Sequence, residues 1–185
     1  MHQILLVACM VTVMSIVIHI MRKHACDNVR KIVSLAFGVY VVSYLYFTLL
    51  SRDIGSISFV DLHPLKTYSR LFETATTPIV IVTGFMADFL QGTPPIVSLI
   101  LNILLYYPLG YLLPILFPKL KPKHVILIGC LCSIATETTQ YLFKLGWCET
   151  DDVIHNTLGT AIGVWIWHLQ SKRLNKPKIN ELPKE

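Results

Sequence analysis

The stretch IVSLAFGVYVVSYLYFTLL, residues 32–50, contains 19 consecutive residues without a charge. A helix of about 20 apolar residues crosses the hydrocarbon core of a bilayer, so residues 32–50 are predicted to span a membrane. The composition of the whole chain agrees with this prediction. Of its 185 residues 54% are hydrophobic and only 15% are charged, and the mean hydropathy is +0.59. Soluble domains carry about 25% charged residues, so an ordinary soluble fold is not expected.

Further apolar runs surround this stretch, over residues 4–20, 96–117, 125–143 and 153–169. We therefore expect an all-α integral membrane protein, a bundle of about five transmembrane helices in a single domain over residues 1–170. An interfacial or a re-entrant segment is expected over residues 78–90. Residues 171–185 are expected to form a charged, disordered cytoplasmic tail.

The positions of the basic residues predict an orientation. If the amino terminus lies outside and the carboxyl terminus lies in the cytoplasm, 12 of the 16 Lys and Arg residues fall on the inner side. Cytoplasmic segments of membrane proteins are enriched in Lys and Arg. The net charge of +5 then comes from Lys and Arg residues that orient the protein against the cytoplasmic leaflet. We therefore expect contacts with membrane lipid and no nucleic acid partner.

Glu137 is a charged residue inside a predicted span, and such residues are rare, costly and usually functional. At 1.5 Å per residue, Glu137 lies about 9 Å below the outer boundary of its span. The spans over 96–117 and 153–169 bring further polar residues to a similar depth, so we predict one polar layer that is open to the outer surface. Its members are Arg52, Asn102, Glu137, Gln140, Asp151, Asp152, His155 and Asn156.

Helical spacing supports this layer, because residues three or four apart share a face. Asp152 lies three residues before His155 and four before Asn156. Arg52 is the expected cationic partner of the acids. A divalent cation is a less favoured alternative, and no metal or cofactor is assigned. The layer could instead only fix the register of the helices, without any ligand.

Five short motifs follow one another in an order and spacing that resemble the VanZ family, over about residues 46–167. They read TLLSR (48–52), DLHPL (61–65), NILLYYPLG (102–110), ETTQ (137–140) and DDVIHNTLG (151–159). Two departures occur. The stretch GWCET (146–150) lacks a basic residue that many members have there, and DLHPL stands where relatives resemble Asn-Leu-Ile-Pro-Phe.

The resemblance implies a multi-pass protein of the bacterial inner membrane with a role in the cell envelope, since the family is named for a teicoplanin resistance protein. A non-enzymatic factor that lowers susceptibility to teicoplanin-type lipoglycopeptides is the first hypothesis. Its partner would be the lipoglycopeptide or a lipid-linked cell-wall precursor. The alternative is an intramembrane enzyme acting on a lipid-linked substrate, with Glu137 or Asp152 as general base and His155 as proton shuttle. The sequence shows no activated Ser or Cys nucleophile, no phosphate-binding glycine loop and no zinc spacing, so the class of reaction cannot be named from it.

Overall fold

The computed structural model of the chain describes residues 28–52, 54–55, 59–66, 68–69 and 95–174. Most of these residues are helical. The helices are α1 (Asn28–Leu45), which continues into a π-helical turn (Tyr46–Leu50), α2 (Pro95–Leu116), α3 (Pro122–Leu142) and α4 (Thr150–Leu174). Two three-residue strands, β1 (Phe59–Asp61) and β2 (Trp147–Glu149), lie between them. The predicted span over 4–20 and the segment over 78–90 lie outside the described residues.

Within the described part of the chain, three helical stretches are long and apolar enough to cross a membrane. They are Arg30–Leu50, Ile96–Leu116 and Pro122–Leu142, each of 21 residues. The predicted helices over 32–50, 96–117 and 125–143 are therefore confirmed as helices of spanning length. A count of five spans and the orientation of the termini stay predictions.

Helix α4 is longer than its apolar run, since it extends over 25 residues instead of the 17 predicted over 153–169. It begins at Thr150, so that Asp151 and Asp152 lie in its first turn. It ends at Leu174, and the first four residues of the predicted tail are therefore helical. The sequence run underestimated this helix because apolar periodicity marks its buried middle and not its polar ends.

Helices α2 and α4 pack against each other backbone to backbone. A Cβ atom built on Gly159 would lie 2.9 Å from the carbonyl carbon of Ile103, and one built on Gly163 would lie 2.8 Å from the amide nitrogen of Tyr111. Small residues spaced four apart allow such close approach of helices in membranes. The two glycines thus pack inside the bundle, against the backbone of α2.

The apolar part of the interior draws on all four helices. One buried cluster contains Tyr40, Tyr106, Leu109, Leu113, Val125 and Val164, and a second contains Val33, Ala36, Tyr111, Leu112 and Leu116. On the outside of α1, Leu35 and Val42 are 72% and 69% exposed. Large exposed apolar side chains on a helix of spanning length suit a surface that contacts lipid.

A two-stranded parallel sheet corrects the all-α expectation. Strand β1 pairs with β2 in the register Phe59 with Trp147, Val60 with Cys148 and Asp61 with Glu149. Three residues are too few to show the alternation that identifies a strand, and the pairing joins segments far apart in the chain. The sheet ties the loop after α1 to the loop before α4, next to the predicted polar layer.

Candidate functional site

The predicted polar layer is largely buried, but the structure divides it into separate groups. Glu137, Gln140, Asp151, His155 and Asn156 are at most 4% exposed. The partly buried members are Arg52, Asn102 and Asp152. Burial of this many polar groups requires hydrogen-bond and charge partners, and these partners define the groups.

The first group, here called the carboxylate cluster, contains Arg52, Asn102, Glu137, Glu149 and Asp152. The Asn102 side-chain amide donates to Asp152 Oδ1 at 2.6 Å. The backbone N–H of Glu149 donates to Glu137 Oε2 at 3.2 Å. Asp152, Glu149 and Arg52 all interact electrostatically with the Glu137 carboxyl group. The cluster therefore joins α2, α3, the turn after α1 and the β2–α4 junction.

Arg52 is the cation of this cluster. Its guanidinium interacts electrostatically with both Glu137 and Asp152. Its Nε atom is buried and has no hydrogen-bond partner among the described residues. The cluster thus holds more carboxyl groups than cations. Such a set can take up a proton, pair with a cationic group of a ligand, or act as a general base.

A second group, here called the loop anchor, holds the segment 61–69 against the start of α4. The backbone N–H of Leu65 donates to Asp151 Oδ1 at 2.5 Å, and Leu65 itself has a left-handed backbone with a φ of 66°. His155 Nε2 is hydrogen bonded to the Tyr68 hydroxyl at 3.2 Å. The Asp151 carboxyl group interacts electrostatically with the His155 ring. Asp151 and His155 therefore serve the loop, while Asp152 serves the carboxylate cluster.

Asp61 organises the same loop from its other end. Its carboxylate accepts a hydrogen bond from the Lys66 ammonium group and a second from the His63 backbone N–H at 3.1 Å. The Lys66 bond first, and then the His63 bond, lower the pKa of Asp61 below its ordinary value. The Thr150 hydroxyl donates to the Asp61 carbonyl at 3.3 Å. This ion pair was not assigned as a site from the sequence, although Asp61 belongs to the quoted motif DLHPL.

Gln140 and Asn156 form bonds between helices. The Gln140 side-chain amide donates to the Thr48 carbonyl, and that of Asn156 donates to the Ser133 hydroxyl, both at 2.9 Å. These bonds fix α3 against the π-helical turn and against α4. The two bonds favour the structural interpretation of the polar layer for these residues, although Asn156 Oδ1 is buried without a partner among the described residues.

A chain of hydroxyl groups next to the carboxylate cluster was not recognised in the sequence. The Tyr44 hydroxyl lies 2.5 Å from the Tyr106 hydroxyl and 2.5 Å from Thr136 Oγ1. Tyr44 also interacts electrostatically with Glu137. Tyr and Thr inside an apolar run read as packing residues, so only their spatial convergence reveals the chain.

Across the described residues, no group of three or more His, Cys, Asp and Glu side chains is arranged to hold a metal ion. The acids bond to backbone N–H groups, to Asn102 and to Lys66, and they interact electrostatically with Arg52.

Comparison with known proteins agrees with the family resemblance. The chain is similar to Protein VanZ of Enterococcus faecium, with 29% identity over 83 residues, which are 44% of this chain and 50% of that protein. The alignment thus spans about half the length of the curated relative. No solved structure matches the chain significantly. The sequence model of the VanZ/LLP1 family matches residues 32–171, well over half of the chain. The chain therefore belongs to the VanZ/LLP1 family.

Proposed function

We propose that this chain is a multi-pass protein of the bacterial cytoplasmic membrane that lowers susceptibility to teicoplanin-type lipoglycopeptides by a non-enzymatic mechanism. The observation that carries the proposal is the carboxylate cluster. It places Glu137, which is 4% exposed, beside Asp152 and Arg52, between helices of spanning length. Charged groups inside a membrane domain are costly, and they are functional by default.

The proposed topology has five spans, with the amino terminus outside and the carboxyl terminus in the cytoplasm. The proposed spans are the three helical stretches of spanning length given above, the apolar run over 4–20, and α4. The distribution of Lys and Arg supports the orientation. In this orientation the carboxylate cluster lies in the outer half of the bilayer. Tags fused to the two termini should be accessible from opposite faces, and access from one face would contradict the topology.

The depth of the carboxylate cluster suggests which drug it would affect. An acyl chain anchors a molecule to the membrane surface, and teicoplanin carries such a chain while vancomycin does not. A polar site in the outer half of the bilayer can therefore meet the anchored drug, or the lipid-linked precursor that the drug binds. Selective protection against teicoplanin is expected on this basis.

The test is to measure teicoplanin and vancomycin inhibitory concentrations in a susceptible Gram-positive host that expresses the chain. Glu137→Gln and Asp152→Asn should abolish selective protection at unchanged membrane abundance, because each removes one carboxylate while keeping the shape of the side chain. Thr138→Ala is the matched control. Thr138 is the exposed neighbour of Glu137 on α3, and among the described residues its hydroxyl donates to the Ile134 carbonyl one turn before it.

Equal protection against both drugs, or none against either, would contradict the proposal. If both variants protect fully, the carboxylate cluster is not the site that gives the protection. If the variants lose protection and abundance together, the cluster has a structural role.

An intramembrane enzyme is the second candidate, and the electrostatic coupling of Glu137 with Asp152 is the observation that favours it. Two coupled carboxyl groups can divide the tasks of general acid and base. His155 has less support as the proton shuttle, because its ring bonds to Tyr68 and is acted on by Asp151 in the loop anchor. Mass spectrometry of membrane lipids and cell-wall precursors should then show a modified species on overexpression. Unchanged profiles would contradict the enzyme.

A further inference from the structure

Gly146 lies in the loop between α3 and β2, directly beside Arg52. Its φ is +151°, a backbone conformation that favours glycine. A Cβ atom built on it would lie 2.8 Å from Arg52 Nη1. Nonbonded heavy atoms in ordinary contact are about 3.5–4.0 Å apart. Any side chain at Gly146 would therefore force either the loop or the guanidinium group to move.

The loop around Gly146 is held on both sides. Before it, the Leu145 N–H donates to the Gln140 carbonyl at 2.8 Å, and the Lys144 carbonyl accepts from the Gly55 N–H at 3.1 Å. After it, β2 is paired with β1 over Trp147–Glu149. The backbone cannot retreat without breaking these bonds. The flexible Arg52 side chain is consequently the part that would move.

The position of the Arg52 guanidinium matters to the carboxylate cluster, because this group acts on both Glu137 and Asp152. Coulomb energies fall with distance and with access of water. Arg52 Nε makes no hydrogen bond to any described residue. The guanidinium group is therefore not held in place through this atom. The missing side chain of Gly146 leaves the space that Arg52 Nη1 occupies.

We infer that Gly146 is a positioning residue, which by lacking a side chain leaves room for the Arg52 guanidinium at the edge of the carboxylate cluster. The inference deepens the proposed function and rests on it for its cellular readout. The charge balance of the carboxylate cluster then depends on a loop residue that has no polar side chain of its own.

The experiment is a double-mutant cycle on the purified full-length protein in detergent, with Gly146→Ala, Arg52→Ala and the combination of both. Gly55→Ala is the matched control. Gly55 also has a positive φ, of +88°, but a Cβ atom there would meet nothing within 4 Å. The control therefore measures backbone strain without displacement of a neighbour.

Gly146→Ala should lower the apparent melting temperature by about 2–4 °C more in the presence of Arg52 than in the Arg52→Ala background. The effect of Gly55→Ala should be the same in both backgrounds. In the host, Gly146→Ala should remove as much teicoplanin protection as Arg52→Ala, and the combination should remove no more. Arg52→Lys should make the protein less sensitive to Gly146→Ala, because lysine lacks the branched nitrogen that the new Cβ atom would meet.

Equal effects of Gly146→Ala with and without Arg52 would overturn the inference, and so would the absence of any effect in the presence of Arg52. Failure of the glycine variant to accumulate in either background counts as an equal effect. If the wild-type chain gives no protection, the proposed function fails, while the melting temperatures still decide the role of Gly146.

Discussion

Gly159→Ala is expected to push α4 away from α2 at the level of the carboxylate cluster. The added Cβ atom would lie 2.9 Å from the carbonyl carbon of Ile103 and 3.0 Å from its Cα atom. Carbon atoms in ordinary contact are about 3.5–4.0 Å apart. Both atoms belong to a helix backbone and cannot rotate away, so the two helices must separate by about 0.5–1 Å.

This separation would reach the carboxylate cluster, because Ile103 follows Asn102 in the chain. The bond from Asn102 Nδ2 to Asp152 Oδ1 is 2.6 Å long. If it lengthens with the helix separation, it becomes about 3.1–3.6 Å, at or beyond the range of an N–H···O hydrogen bond. Overpacking of about 2 kcal/mol corresponds to a fall of roughly 4–8 °C in melting temperature for a chain of this size. Loss of the Asn102 bond would add to that fall.

The assay is thermal unfolding of the purified protein in detergent, followed by circular dichroism, alongside the inhibitory concentrations in the host. Gly38→Ala in α1 is the matched control, since a Cβ atom there would meet nothing within 4 Å. Alanine is favoured over glycine inside a helix by about 0.5–1 kcal/mol, so this variant should melt at the same or a higher temperature. A Gly159→Ala variant that melts like the wild type, or a control that falls equally, would refute the close-approach argument.

Two further predictions concern the neighbourhood of the carboxylate cluster. Tyr44→Phe should destabilise the protein by about 1–3 kcal/mol, because it removes two hydrogen bonds, to Tyr106 and to Thr136, each worth about 0.5–1.5 kcal/mol. Tyr46→Phe, at an exposed tyrosine, should change the melting temperature little, and equal falls would contradict the prediction. The pKa of Asp61 is lowered by Lys66, so the stability that this pair contributes should be present above about pH 4 and lost as the pH falls through the folded-state pKa. Lys66→Met should flatten the pH dependence of unfolding between about pH 5 and pH 2, and an unchanged profile would show that the pair does not contribute.

The sequence predicted the helices of the fold better than their ends and their connections. Uncharged runs of about 20 residues identify spans by length alone, and α1 with its π-helical turn, α2 and α3 follow those runs. Helix α4 begins with Thr150, Asp151 and Asp152, which are polar and therefore invisible to an apolar pattern. The β1–β2 pairing depends on the fold bringing two distant three-residue segments together, and no local pattern encodes it.

The sequence predicted how far along each helix the polar side chains lie, but it did not predict the direction in which each side chain points. Equal depth in neighbouring helices brings Asn102 to Asp152, and the end of the second predicted span brings Arg52 to Glu137. Depth does not tell which way a side chain points around the helix axis. Successive residues of a helix point about 100° apart, so the adjacent Asp151 and Asp152 belong to different groups.

The start of α4 also stabilises the carboxyl groups of the carboxylate cluster and of the loop anchor. Asp151 and Asp152 lie in the first turn of α4, and Glu137 accepts a hydrogen bond from the Glu149 N–H just before that helix. A helix N-terminus offers unpaired N–H groups and the positive end of the helix dipole, which stabilises nearby anions by about 0.3–1 kcal/mol each. This contribution is fixed by the backbone, whereas the contribution of Arg52 depends on a flexible side chain. Changes at residue 52 or 146 should therefore alter the charge balance of the carboxylate cluster while the helix terminus that supports its acids stays in place.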